Sequence, residues 1–246
     1  MQYLIRSEVL KLRTVRGPWL LLAAGPALVI AGISGLVASG LVVHDPTAQA
    51  EALSHVGLTS IFTLLFGIVA VAGEYRHRTI TDTFLSTPVR GRVIGAKLVV
   101  YAALAALAGV VSTFVGLAVA AAWWAEKGAS FGWGDSAMWA TIAGSVAWNA
   151  IFAAIGVSAG ALIRNLVGAV AACLAWIALV EGVVGQLIGN LARWLPFYAG
   201  QELGAGGAGI LPERLLPRVG ALVVLLVYAA IFALAALASS VRRDVT

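Results

Sequence analysis

The run LVVYAALAALAGVVSTFVGLAVAAAWWA, Leu98–Ala125, contains no Asp, Glu, Lys or Arg. Wound as an α-helix rising about 1.5 Å per residue, it outreaches the ~30 Å hydrocarbon core of a bilayer. Four more charge-free runs are long enough to cross: Trp19–Val43, Ala52–Gly73, Ser136–Ile163 and Val219–Val241. A sixth, Asn165–Ala192, is interrupted once, by Glu181. One mid-span acid costs about 2.5–3.5 kcal/mol on an insertion scale, while each Leu, Ile, Val or Phe returns roughly 0.3–0.6. The apolar neighbours of Glu181 outweigh it. The sequence therefore predicts an all-α polytopic membrane protein with six transmembrane helices, residues 1–246 forming a single transmembrane domain.

Composition agrees. Of 246 residues, 61% are hydrophobic and 11% charged, against roughly 25% charged in soluble domains. There is too little polar surface to face water. The single cysteine, Cys173, excludes a disulfide framework and a thiolate metal cluster. Met1–Pro18 is charged and includes Glu8, and the apolar run after it exceeds the roughly 7–15 residues of a signal's apolar h-region, so that run reads as a retained first span.

The 16 Lys and Arg residues set the expected orientation. Twelve (Arg6, Lys11, Arg13, Arg16, Arg76, Arg78, Arg90, Arg92, Lys97, Arg164, Arg242 and Arg243) share a side with both termini. Four, namely Lys127, Arg193, Arg214 and Arg218, fall on the other. The positive-inside rule puts both termini in the cytoplasm. It also accounts for the net charge of +5 without nucleic acid.

Between the spans lie three informative stretches. In residues 1–18, Met1, Leu4, Ile5, Val9, Leu12 and Val15 share one helical face, with Arg6 and Arg13 opposite and Glu8 inside the apolar arc. This fits an amphipathic helix in the cytoplasmic interface; the alternative is a solvated basic leader. In GEYRHRTITDTFLSTPVRGRVIGAK, Gly73–Lys97, the residues Ile80, Phe84 and Leu85 form an apolar patch among Arg76, Arg78 and Asp82. Thr87 and Pro88 resemble an N-cap and a first-position proline, from which Val89, Val93 and Ile94 lead into the third span. A short helix with an apolar knob for a partner is expected, against a loop made basic by topology alone. Residues 190–217, with Trp194, Phe197, Tyr198 and GAGGAG, hold two apolar pieces too short to cross, Trp194–Ala199 and Ile210–Leu216. They fit either a re-entrant segment or an interfacial aromatic belt.

Inside the spans, Glu181 rises roughly 25 Å from Arg164, and Trp148 and Asn149 reach about the same height along the antiparallel fourth span. An ionisable residue in a span is a functional hypothesis by default. The three form an expected layer at the outer gate of a pathway, although snorkelling or packing would also explain them. Trp176, about 18 Å up, reads as packing. Gly156–Gly160 and Gly185–Gly189 are small-xxx-small pairs for helix packing within or between chains.

Taken together, the opening LIRSEVLKLRTVRGPW (Leu4–Trp19), the segment GEYRHRTITDTFLSTPVRGRVIGAKL (Gly73–Leu98), Glu181 and the run RWLPF (Arg193–Phe197) resemble an ABC-2-type transporter permease, the membrane subunit of a bacterial ATP-driven exporter. The resemblance covers essentially the whole chain. It implies that the leader helix and residues 74–94 dock on a separate cytoplasmic ABC ATPase, with Glu74–Ser86 as coupling helix. Glu74, Arg76, Arg78, Ile80, Asp82, Phe84 and Leu85 would be its coupling residues. It also implies a homodimer or a pairing with a related permease, and residues 190–217 as an outer gate involving Trp148, Asn149, Glu181, Trp194 and Phe197.

No G-x-x-x-x-G-K-[ST] loop occurs, so ATP and Mg would sit on the partner subunit and this chain would hold no cofactor. The apolar run ending in Asp45 falls on the external side and cannot serve as a Walker B acid. No H-E-x-x-H occurs, and His44, His55 and His77 are scattered, so neither a metal nor a catalytic residue is expected. The expected location is the bacterial cell membrane, among lipid. A membrane-embedded immunity or sensory protein that binds a peptide or lipid without pumping is the alternative. Drug, antibiotic, lipid and peptide cargoes all remain open.

Overall fold

The computed structural model describes residues 1–87, 89–184, 187–205 and 216–242. The described residues are helical throughout, joined by short turns. In chain order the helices are α1 (Gln2–Thr14), α2 (Gly17–Ala38), α3 (Ala48–Leu58), α4 (Ser60–Arg76), α5 (Ile80–Ser86), α6 (Arg90–Glu126) and α7 (Ser136–Ile163). Then come α8 (Leu166–Ala175), a π-helix (Trp176–Val184), α9 (Gly189–Ala192), α10 (Pro196–Ala205) and α11 (Arg218–Arg242). Six stretches have the length and composition to cross a membrane: Gly17–Ala38, Ala48–Arg76, Arg90–Glu126, Ser136–Ile163, Leu166–Val183 and Arg218–Ser240. Leu107, Phe114, Leu179 and Leu234 stand exposed on the bundle surface, as lipid-facing side chains do. The chain is a multi-pass helical membrane protein.

The fourth span matches its expected bounds because the sequence marks both ends. The Asp135 side chain accepts the Ala137 N–H at 2.8 Å, an N-cap. Arg164 closes the helix in the left-handed region, at φ 57°. Asn165 then caps α8 by accepting the Gly168 N–H at 2.8 Å. The third span begins at Arg90, earlier than its apolar run, and this draws Lys97 into the helix.

Helix α7 is the centre, packed against α3, α4, α6, α10 and α11. Its approach to α4 depends on glycine: a Cβ on Gly156 would overlap the Leu64 carbonyl, and one on Gly67 the Ala153 carbonyl. The Gly156–Gly160 pair therefore packs helices within one chain. Gly185, of the other pair, lies outside the described residues. So do Pro88, the GAGGAG stretch from residue 206 onward, and Ile210 to residue 215 of the second apolar piece.

In α1 the buried residues are Glu8 and Leu12, while Met1, Val9 and Val15 are exposed, and Glu8 is paired with Lys97. Two local expectations are corrected. Thr87 is not the N-cap of α6, which starts at Arg90 with Val89 before it; Thr87 closes α5 in an extended conformation, at φ −140° and ψ 93°. A residue preceding proline is driven out of the helical region, so Thr87 belongs to the linker. Ile80 is 2% exposed and lies inside, so the outward apolar side chain of α5 is Leu85, 76% exposed.

Candidate functional site

The end of the bundle that carries α1 and the close of α11 is held by four charges. Lys97 on α6 is 0% exposed. Its Nζ donates to Glu8 Oε2 at 2.8 Å, Glu74 Oε1 at 2.8 Å and the Ala70 carbonyl at 3.0 Å. All three ammonium protons are thereby used. Lys11 Nζ donates to Glu8 Oε1 at 3.0 Å, Glu74 Oε1 at 2.7 Å and Thr83 Oγ1 at 3.2 Å. Two carboxylates and two ammonium groups thus form a neutral clasp that joins α1, α4, α5 and α6. An unpaired ammonium at this depth would cost several kcal/mol. Burial of Lys11 works against its charge, but the hydrogen bond and charge of Glu74, and then those of Glu8, outweigh it and raise its pKa above the ordinary 10.5.

Two cation–π contacts flank the clasp. The Arg164 guanidinium lies 5.6 Å from the Tyr75 ring centroid, and Arg90 lies 5.4 Å from Phe84. Of the expected coupling residues, Glu74 and Arg76 lie in the last turn of α4. Arg78 occupies the following turn at φ 59°. Asp82, Phe84 and Leu85 are on α5, where Asp82 and Leu85 face outward.

At the other end a carboxylate does a different task. Pro196 opens α10 at the first helical position, where its missing N–H costs nothing. Leu195 before it has no side-chain acceptor to cap the next two amides. Glu181, from the π-helix, supplies one: its Oε2 accepts the Phe197 N–H at 2.7 Å and the Tyr198 N–H at 3.1 Å. A carboxylate at a helix N-terminus is also favoured by the helix dipole. Glu181 is 1% exposed, and its Oε1 has no hydrogen-bond partner among the described residues.

Trp148 locks α10 to α7. Its ring meets Phe197 at 5.3 Å and Phe152 at 5.6 Å, both edge-on. A Cβ on Gly200 would overlap the Trp148 indole, and one on Gly144 the Leu203 carbonyl, so α10 lies directly on α7. Glu202 is buried on α10, and desolvation pushes its carboxyl up to about 7.

The structure brings Trp148, Phe197 and Glu181 together, and leaves Asn149 and Trp194 apart from them. Asn149 Nδ2 donates to the Val56 carbonyl at 3.1 Å and the Ser145 carbonyl at 2.9 Å. Its Oδ1 accepts from Thr59 at 2.9 Å and Thr63 at 3.3 Å. It thereby satisfies the break between α3 and α4. Trp194 is exposed, with the Arg193 guanidinium 5.6 Å from its ring.

Sequence reasoning missed the clasp. An acid in the apolar arc of α1, and a lysine followed by a long apolar run, were two halves of one signal. No family model matches the chain, and no curated protein does.

Proposed function

We propose that this chain is the membrane-spanning permease subunit of an ATP-driven exporter of the ABC-2 type, with its termini in the cytoplasm. It moves an apolar or amphipathic substrate outward while a separate subunit binds ATP and Mg and hydrolyses the nucleotide. Two such chains, identical or related, form the pathway. The observation that carries this reading is the clasp. A partner pushing on the exposed side of α5, at Leu85, loads a helix tied through Thr83 and Lys11 to Glu8 on α1, Glu74 on α4 and, through them, Lys97 on α6.

From there, packing carries motion across the membrane. Helix α4 is pressed against α7 at Gly67 and Gly156, and α7 holds α10 through Trp148. Helix α10, capped by Glu181, is then the outer gate element.

Affinity purification of the tagged full chain from its own membrane tests the proposal. The expected result is a co-purifying ATPase whose hydrolysis drives export from the reconstituted complex, with Leu85→Asp lowering both by at least tenfold. Absence of any co-purifying ATPase and of nucleotide-driven export, with ligand binding retained, would overturn the reading in favour of a binding-only immunity or sensory role.

A further inference from the structure

Beside the Glu181 cap lies a cavity of about 270 Å³, near the lower end of the roughly 300–1,000 Å³ of small-molecule pockets. Leu64, Phe152, Cys173, Trp176, Tyr228 and Phe232 are among its walls, and every wall side chain except Glu181 is apolar or only weakly polar. Helices α4, α7, α8, α10 and α11 and the π-helix all contribute to it. Two lining residues, Ile163 and Trp176, are 40% and 43% exposed, so the cavity opens to the outside of the bundle along apolar side chains.

Glu181 is the one ionisable acid in this wall. Its Oε2 is committed to the amides of Phe197 and Tyr198; the Trp176 indole approaches the carboxylate, but Oε1 is buried with no partner in good hydrogen-bond geometry among the described residues. Buried polar oxygens are nearly always matched, and one that is not calls for an explanation. An apolar molecule alone would fill the walls and leave that oxygen stranded. A molecule with an ammonium head would fill the walls and supply both the hydrogen bond and the opposite charge.

We infer that this cavity is a binding site for a small apolar amine, entered from the lipid side, whose protonated nitrogen hydrogen-bonds Glu181 Oε1. As a statement of cargo class it rests on the export reading; as a binding site it does not. Trp176 and Tyr228 also line the cavity, and aromatic rings attract a cation. Because Glu181 holds the first turn of α10, an occupied site sits directly against the helix assigned as gate.

The test is equilibrium dialysis of the full chain in lipid nanodiscs, after subtraction of uptake by empty nanodiscs, and it requires no ATPase. The probes are 4-phenylbutylamine and its alcohol counterpart, 4-phenylbutanol. The wild-type chain is expected to bind the amine at least tenfold more tightly than the alcohol. Glu181→Gln, which keeps an acceptor for the Phe197 and Tyr198 amides, is expected to abolish that preference. Ala172→Trp, at the cavity wall, is expected to weaken both ligands.

Equal affinity of the wild-type chain for amine and alcohol would overturn the inference, whatever the variants do. So would a preference that survives Glu181→Gln. If the amine binds selectively but ATP-driven export is absent, the site stands and the exporter reading fails. If export proceeds without amine selectivity, the reverse holds.

Discussion

The two ends of the molecule each bury acidic side chains, and they satisfy them by different means. At the end carrying α1, Glu8 and Glu74 are met by two ammonium groups, and Lys97 uses every proton it has. At the other end, Glu181 is met by two peptide N–H groups of α10 and keeps one oxygen unmatched. The first arrangement is closed on the cation side: it ties four helices and uses every proton of both ammonium groups. The second is half-open, strong enough to seat a short helix and still able to accept a donor. Under the proposed function, the first kind suits a transmitter and the second a gate.

The largest expected effect lies in the clasp. Lys97→Met leaves both carboxylates dependent on Lys11 alone, and breaking a buried pair in this way costs about 3–5 kcal/mol. Thermal unfolding in detergent should show a marked loss, and Lys97→Met combined with Glu8→Gln should recover part of it. Full wild-type stability in the single variant would mean that the clasp is not a structural tie.

At the other end the penalty is smaller. Glu181→Ala removes a helix cap, worth about 0.5–2 kcal/mol. Hydrogen exchange should therefore quicken at Phe197 and Tyr198 while the amides of α7 stay protected. Uniform quickening would argue against a local cap.

Glu202 provides a pH contrast. Its folded carboxyl titrates at about 7 against an ordinary 4.5, so the folded state binds its proton more tightly than the unfolded state. The seat of α10 should weaken as pH rises from about 4.5 to 7 and then level off. Once corrected for the intrinsic pH dependence of amide exchange, protection across residues 196–205 is expected to be lower at pH 8 than at pH 5, and Glu202→Gln should remove that difference. The smallest effect is Lys11→Ala. Its side chain is 40% exposed, so its loss should cost only about 0.2–1 kcal/mol and less at high salt.

How much of this the sequence could reveal follows from which interactions are local. Spans were legible because a charge-free run needs no partner to declare itself, and the bounds of the fourth span were visible in Asp135 and Arg164. The layer of Trp148, Asn149 and Glu181 was placed by height alone. Successive residues on a helix point about 100° apart, so Trp148 and Asn149 face different neighbours. One meets α10 and the other the α3–α4 break. That break, the π-helix at Trp176 and the docking of α10 depend on tertiary contacts with no periodic signature. The clasp was half visible in Glu8, whose place in an apolar arc called for a cation on the helix it packs against.

Central to the functional account is that Leu85, on α5, faces the cytoplasm. Leu85→Cys in a Cys173→Ser background allows a direct measurement with a membrane-impermeant maleimide on intact cells. The account predicts no labelling until the cells are permeabilised, and slower labelling once the ATPase partner is bound. Rapid labelling of intact cells would place α5 on the outer side and contradict it.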